Sequence, residues 1–158
     1  IGVDDRIIGE VETILNPDYL SFADIKPTGY ECYNIAQHFA EKLHAYTRSF
    51  NNSGSSRVKD LVDMFLIAEM ENIDSKSFRN AITTTFEFRS THPFPEVLPK
   101  PPLGWVKPFN KMAEDVDIDL TLDEAFEKLE VFINPILHET GNFKWDPKLW
   151  EWKTRREN

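Results

Sequence analysis

The chain of 158 residues lacks several features that would assign it to a class of protein. It has a single cysteine, Cys32, so an internal disulfide is excluded and a reducing compartment is favoured. Its four histidines are scattered and lack the spacing of a zinc site. No apolar run approaches the length of a membrane-spanning helix. We therefore expect a cytoplasmic protein with no membrane partner.

Positive charge is also scarce, because 27 acidic residues outnumber 18 basic ones and the net charge is −9. This balance opposes general affinity for nucleic acid, which needs a surplus of Lys and Arg. Any site for a phosphate-bearing ligand must therefore be local. Aromatic residues are plentiful, with 12 Phe and 4 Trp, and they predict a packed core in one globular domain.

Two patterns divide the chain. Residues 1–33 place β-branched residues between charges and predict short strands and loops, with a turn at Gly9. Residues 34–138 repeat apolar side chains at helical spacing and predict a helical domain, interrupted by a proline-rich strap at 93–102. Residues 139–158 are expected to be a C-terminal tail. The predicted fold is mainly α, a helical bundle with a few short N-terminal strands.

Capping signals mark two of the predicted helix starts. Asp74 or Ser75 can cap one helix, and Thr121 with Glu124 forms the spacing of a capping box before the segment "LDEAFEKLEVFINPIL". Both signals place a side-chain oxygen near the first backbone N–H groups of the helix. The C-terminal half is therefore predicted to be helical.

The acidic segment "DVDIDLTLDE" suggests a calcium loop at first sight. An EF-hand loop beginning at Asp115 needs Gly at its sixth position and Glu at its twelfth, but Leu120 and Phe126 occupy them. We therefore predict a solvated acidic turn and no metal site.

The segment "FKWDPKLWEWKTRR" alternates Trp145, Trp150 and Trp152 with basic residues. This composition can stack on bases and contact phosphates. Packing of the tryptophans onto their own domain is the favoured explanation, and contact with RNA remains the alternative.

The segment "AEKLHAYTRSFNNSGSSRVKDLVDM" concentrates charge on two predicted helices. On the second helix, Asp60 and Asp63 project on the same side as Ile67 and Met70, opposite the apolar face that begins at Val58. Carboxylates beside an apolar surface lose solvation unless a cation or donor compensates them. The helix is therefore expected to lie between two layers.

Two explanations of these charges stay open. Arg57 and Asp60, like Lys59 and Asp63, have the spacing of intrahelical ion pairs, which would make them ordinary surface charges. Lys42 can equally be a locally paired surface charge or a cation for phosphate. Composition alone slightly favours the first explanation.

The segments "QHFAEKLHAYTR" and "SRVKDLVDM" resemble the two C-terminal signatures of the AbiEii/AbiGii abortive-infection toxin family, nucleotidyltransferase-like proteins of type IV toxin–antitoxin systems. The later segment "TTTFEFRSTHPFPEVLPKPPLGW" also resembles this family's C-terminal region. The positions that carry the resemblance are Glu41, Lys42, Leu43, Ala45, Arg48, Arg57, Lys59, Asp60 and Asp63.

The resemblance implies transfer of a nucleotidyl group from a nucleoside triphosphate with Mg²⁺, for phage defence. It implies a tRNA or protein acceptor and a cognate antitoxin. Lys42 and Asp60 would be the catalytic residues, Lys42 contacting the triphosphate. The basic residues Arg48, Arg57 and Lys59 would assist in nucleotide binding. The acidic residues Glu41 and Asp63 would support the site.

The chain departs from the family pattern in its first part. No Gly-Gly segment occurs, and no Asp-x-Asp strand precedes Gln37. The resemblance therefore implies the C-terminal portion of a nucleotidyltransferase-like α+β protein, expected to be inactive alone and to hold no metal. The alternative is a non-catalytic helical interaction module that binds RNA or a protein partner.

Overall fold

The computed structural model describes residues 12–15, 29–32, 34–48, 57–70, 73–138 and 141–154. The helices are α1 (Ile35–Arg48), α2 (Val58–Glu69), α3 (Ser75–Arg89), α4 (Val106–Asp115) and α5 (Leu122–His138), with a 3-10 turn at Leu103–Trp105. The strands are β1 (Glu12–Leu15), β2 (Gly29–Cys32), β3 (Phe143–Asp146) and β4 (Glu151–Thr154). Strand β1 pairs antiparallel with β2, and β3 with β4. The prediction of a mainly α fold with short N-terminal strands is confirmed, while the turn predicted at Gly9 lies outside the described residues.

The capping residues bond as the sequence predicts. The Asp74 carboxylate accepts hydrogen bonds from the backbone N–H groups of Lys76 and Ser77, at 2.8 and 3.0 Å, so Asp74 and not Ser75 is the N-cap of α3. In the capping box of α5, the Thr121 N–H donates to Glu124 Oε2 at 2.8 Å, and the Glu124 N–H donates to Thr121 Oγ1 at 3.3 Å. These local bonds fix where two helices begin.

Helix α2 is the central element, because it packs against α1, α4 and α5. Most of its side chains are buried, and the expectation that it lies between layers agrees with this position. Ile67 is buried, as the second apolar surface predicts. Met70 is 57% exposed, because it follows the last helical residue and caps the helix instead of packing.

An aromatic core joins the other helices. The Phe39 ring of α1 lies 5.1 Å from that of Phe78 in α3 and 5.5 Å from that of Phe132 in α5. All three side chains are almost fully buried. Aromatic rings at these separations attract each other through edge contacts, which stabilise the core beyond the effect of the buried area alone.

The proline-rich strap, residues 93–102, crosses from α1 to α5. The Tyr46 hydroxyl donates to the Pro99 carbonyl at 2.6 Å, and the Leu98 N–H donates to Asn134 Oδ1 at 3.0 Å. The Leu98 side chain is 2% exposed. The strap thus closes one side of the core with side-chain bonds in place of a regular backbone ladder.

Strands β3 and β4 form a hairpin that the sequence analysis did not predict. Each of the hairpin's three tryptophans, two in the strands and Trp150 in the turn, donates its indole N–H to a helix carbonyl: Trp145 to Ala68 at 2.7 Å, Trp150 to Lys128 at 2.9 Å and Trp152 to Phe132 at 2.9 Å. Trp145 is fully buried. The tryptophans therefore pack onto their own domain, which was the favoured explanation of this segment.

None of the helices in the described part of the chain combines the length and apolar character that crossing a membrane requires.

Replacing Trp145 by Phe should lower the free energy of unfolding by about 2–4 kcal/mol, because it leaves a cavity and removes the hydrogen bond to the Ala68 carbonyl. Urea denaturation measures this loss. The control is Leu149→Ala in the same hairpin, where the side chain is 60% exposed and the change should stay within about 0.5 kcal/mol. Equal stability of the two variants would contradict the anchoring role of Trp145.

Candidate functional site

Four charged side chains meet where α1 packs on α2. Lys42 Nζ of α1 lies 2.8 Å from Asp63 Oδ2 and 3.5 Å from Asp60 Oδ1, both in α2. Arg57, at the N-cap position of α2, places Nη1 3.2 Å from the other oxygen of Asp60. We call these four residues the α1–α2 charge network.

Local sequence explains why the network forms here. Asp60 occupies the first turn of α2, where the unpaired N–H groups and the helix dipole favour a carboxylate. Asp63 follows three residues later and so projects from the same side of the helix. Lys42 directly precedes Leu43, which is fully buried and packs this part of α1 against the core. Packing of the two helices then sets the cation between the two carboxylates.

Burial differs sharply within the network. The Asp60 side chain is 9% exposed, whereas Lys42 is 22% and Arg57 39% exposed. A carboxylate this deeply buried must be compensated, and each oxygen of Asp60 faces a cation. Asp60 is therefore the central acceptor of the network, and the cations lie on its solvent side.

The acids determine the charge state of Lys42. Burial alone lowers the pKa of Lys42, but the hydrogen bond to Asp63 and its charge, together with the charge of Asp60, outweigh burial and raise the pKa above its usual value. The amine consequently stays protonated at neutral pH. Lys42 can act as a fixed cation and cannot act as a proton acceptor.

The other predicted site residues are Lys59, Glu41 and Arg48. Lys59 is exposed. Intrahelical spacing predicts Lys59 as the partner of Asp63, but the structure pairs Asp63 with Lys42 of α1. Glu41 accepts a hydrogen bond from Gln37 Nε2 at 3.1 Å within α1. Arg48 is exposed at the end of α1, close enough to His44 for its charge to act on that imidazole. The structure thus brings together four of the seven predicted residues.

The network does not suit a divalent metal ion in this arrangement. A magnesium ion prefers octahedral oxygen ligands with several waters and free carboxylate oxygens. Asp60 is bound on both oxygens by cations, and Asp63 by Lys42. Within the described ranges, no group of three or more His, Cys, Asp or Glu side chains could hold a metal. We assign no metal to these residues.

A second polar cluster, which the sequence analysis missed, lies near the end of α1. His44 Nε2 is 2.9 Å from Thr91 Oγ1, and His92 Nε2 is 2.7 Å from Thr47 Oγ1. The signal available in the sequence is the i, i+3 spacing of His44 and Thr47, which places both on one side of α1. Their partners come from the end of α3, a pairing that spacing along the chain does not reveal.

Both histidines of this cluster are held neutral. Burial, with the nearby charges of His92, Arg89 and Arg48, lowers the pKa of His44 to about 4. Burial and the charge of Arg48 also lower the pKa of His92. His44 is 1% exposed, and no described residue bonds its Nδ1. The cluster therefore carries no positive charge of its own at neutral pH.

Substitution of Asp60 by Asn should cost about 1–3 kcal/mol of stability, because two cations would then lose their buried counter-charge. Asp63→Asn should cost less than about 1 kcal/mol, since Asp63 is 24% exposed and solvent screens its pair. Chemical denaturation compares the two, with Lys59→Ala as the exposed control on α2. A larger loss for Asp63→Asn than for Asp60→Asn would contradict the central position of Asp60.

The stability of the fold should decrease as the pH falls from 6.5 to 5. The unfolded chain protonates His44 near its ordinary pKa of 6.5, whereas the folded chain resists protonation until about pH 4, so the unfolded state binds the extra proton. The slope from this group is up to about 1.4 kcal/mol per pH unit. Urea midpoints across this range measure it. His44→Gln should reduce the slope, and the lowered pKa of His92 should account for part of the slope that remains.

Comparison with known proteins identifies a family for most of the chain. The family model described as the nucleotidyl transferase AbiEii toxin of type IV toxin–antitoxin systems matches residues 1–130. A search of curated proteins gave no match. The matched residues include α1, α2, the strap and all four members of the charge network, and they cover most of the 158 residues. The chain therefore belongs to the AbiEii nucleotidyl transferase toxin family.

Proposed function

We propose that this chain supplies the helical part of a nucleotidyltransferase toxin that holds the triphosphate of a nucleoside triphosphate. Lys42 is the contacting cation, and Asp60 is the carboxylate that positions it. One observation carries the proposal: the Lys42 ammonium is fixed between Asp63 at 2.8 Å and Asp60 at 3.5 Å, yet the Lys42 side chain remains 22% exposed. A cation that is both positioned and accessible is what an anionic ligand requires.

Lysine chemistry supports this assignment. An ammonium group has three hydrogens, and the two aspartates account for two of them among the described residues. The third can point to a phosphate oxygen. Lysine binds phosphate as a point charge, so the position of its ammonium group determines the contact. The two aspartates therefore fix the position of the Lys42 ammonium as well as keeping it protonated.

The reaction of this class places charge where Lys42 can neutralise it. An acceptor oxygen bonds to the α-phosphorus, the bond from that phosphorus to its bridging oxygen breaks, and negative charge accumulates on the departing pyrophosphate. A fixed cation beside the leaving group stabilises this charge without having to reorganise. Lys42 therefore contributes to the rate as well as to binding.

Asp60 acts in this proposal as a positioning residue. Its carboxylate is buried and each oxygen faces a cation, so it is poorly placed to take a proton from an acceptor. Its effect reaches the nucleotide through Lys42 and through Arg57, which is 39% exposed and can provide a second positive charge. Neither Lys59 nor Arg48 shares this geometry, so we assign them no contact with the triphosphate.

The partners follow from the family and stand as part of the proposal. A type IV toxin implies a nucleoside triphosphate substrate and a cognate antitoxin. The acceptor of the nucleotidyl group is a tRNA or a protein. Mg²⁺, which accompanies the triphosphate in this chemistry, would be bound by groups other than the charge network.

Transfer of radiolabel from each α-labelled nucleoside triphosphate to RNA or protein tests the function in the full-length protein. Lys42→Ala should reduce transfer by about 10²-fold or more, the effect of losing one charged stabiliser of the transition state. The matched control is Lys59→Ala, which removes the same charge from an exposed position on α2 and should transfer normally. Transfer by Lys42→Ala at the rate of the wild type would refute the role of Lys42. Binding of a partner without any transfer by the wild type would favour the non-catalytic interaction module.

A further inference from the structure

Helix α4 carries its charges in the reverse of the order that a helix dipole favours. The positive end of the dipole, at the N-terminus, favours acids, and the negative end, at the C-terminus, favours bases. The first turn of α4 has no acid and contains Lys107, while its last turn has no base and contains Glu114 and Asp115. Each of the other four helices follows the rule at one end or both, through Arg48, Asp60, Arg89, Asp123, Glu124 and His138.

No group in the described part of the chain compensates for this reversed order. None of the ion pairs among the residues that the structure describes includes Lys107, Glu114 or Asp115. All three side chains are exposed, as is Asp117 just beyond the helix, so a partner from outside the chain can reach them. A local conflict with no compensation inside the fold points to such a partner.

The exposed side of α4 begins with two apolar side chains. Leu103 is 85% exposed, in the 3-10 turn that leads into α4, and Val106 is also exposed. The backbone on either side of Leu103 is held, because Pro102 is extended with a φ of −65° and the Trp105 side chain is buried. Leu103, Val106 and Asn110 have the spacing i, i+3, i+7 and therefore lie on one side of the helix.

A cleft of about 540 Å³ lies at the C-terminal end of α4. Its walls combine apolar groups of Ala113, Ile118 and Leu120 with the acids Glu114 and Asp117. The turn that shapes it is fixed, because the Ile118 N–H donates to the Ala113 carbonyl at 2.8 Å and Asp117 takes the left-handed conformation with a φ of 58°. The cleft is therefore preformed, and it suits an aliphatic side chain that has a basic neighbour.

These apolar, basic and acidic positions form one surface, which we call the α4 face: Leu103, Val106, Lys107, Asn110, Glu114 and Asp117. Its N-terminal half is apolar and basic, and its C-terminal half is an acidic cleft. The two halves are about equally long on either side of Asn110, so each half complements the other. An interface between two copies related by a two-fold axis requires this self-complementarity.

We propose that the α4 face binds a second copy of this chain, with the two α4 helices antiparallel about a two-fold axis near Asn110. Lys107 of each copy then faces Glu114 of the other. Leu103 of each copy enters the cleft of the other, beside Asp117. Because the helices run in opposite directions, the N-terminus of each α4 also lies beside the acidic C-terminus of its partner, and the reversed charges are offset in both copies.

The association is weak for two reasons. A net charge of −9 on each copy opposes it, and a single short helix buries little surface compared with a stable interface. The dimer therefore forms only at high concentration, and salt weakens it by screening the exposed ion pairs. None of the four charge-network residues lies on the α4 face, so the dimer does not depend on the proposed nucleotide site.

Sedimentation equilibrium of the full chain tests the association directly. Over about a hundredfold range of concentration at low salt, the mean mass should rise from monomer toward dimer. Leu103→Asp should abolish this rise, because it places a carboxylate in an acidic cleft. The matched control is Leu149→Asp in the β3–β4 hairpin, where the leucine is also exposed and the dimer should persist. A wild-type monomer at every concentration up to about 1 mM, or a dimer that Leu103→Asp leaves unchanged, would overturn the proposal.

Charge exchange separates this geometry from a general attraction between copies. Lys107→Glu and Glu114→Lys should each raise the dissociation constant about tenfold or more, because each puts like charges opposite one another in both pairs. An equal mixture of the two variants should restore the dimer as a mixed pair, which native mass spectrometry resolves. Lys111→Ala is the control, because Lys111 lies beside the axis, next to its own copy, and its removal should not weaken the dimer.

The two charge variants also remain informative about folding. Both bring α4 into agreement with its dipole, so urea denaturation should find neither variant less stable than the wild type. Mixed pairs no more abundant than pairs of one variant, or a dimer weakened more by Lys111→Ala than by Lys107→Glu, would overturn the proposed arrangement.

Discussion

The need to compensate a buried carboxylate organises the face where α1 packs on α2. Asp60 begins a helix that is enclosed by three others, and its charge cannot be left unpaired there. Lys42 from α1 and Arg57 from the start of α2 meet this need, and Asp63 adds a second acceptor for Lys42. The result is a positive group held at a fixed point on a chain whose net charge is −9. The phosphate affinity that we propose can therefore be local while the protein as a whole remains acidic.

Helix α1 contributes to two polar clusters on different sides, the α1–α2 charge network and the second polar cluster. Lys42 and His44 are two positions apart, so their side chains point about 200° away from each other around the helix. Lys42 faces α2, whereas His44 faces the end of α3 and the residues that precede the strap. The charge network keeps Lys42 protonated, and the second polar cluster keeps His44 and His92 neutral. Burial lowers the pKa of Lys42 and of His44 alike. The neighbouring carboxylates reverse this effect at Lys42, whereas the neighbouring arginines add to it at His44.

Sequence patterns predicted the helices, a cap at Asp74 or Ser75 and a cap at Thr121, because those bonds form between near neighbours along the chain. They also placed Asp60 and Asp63 beside an apolar surface. They did not give the partner of Asp63, since spacing within α2 points to Lys59 while the observed partner lies on α1. Strands β3 and β4 were missed for a related reason. Strands of four residues show little pattern, and their position depends on the burial of Trp145 against α2.

Equilibrium binding of a nucleoside triphosphate to the full-length protein tests most directly whether Asp60 acts through Lys42. The affinity is measured for wild type, Lys42→Met, Asp60→Asn and the double variant. Loss of the cation should weaken binding about tenfold or more, a change of about 1.4 kcal/mol. Asp60→Asn should weaken binding most when Lys42 is present and less once Lys42 is gone, when only its effect through Arg57 remains. Unchanged affinity in Lys42→Met, or the same loss from Asp60→Asn in both backgrounds, would contradict this account.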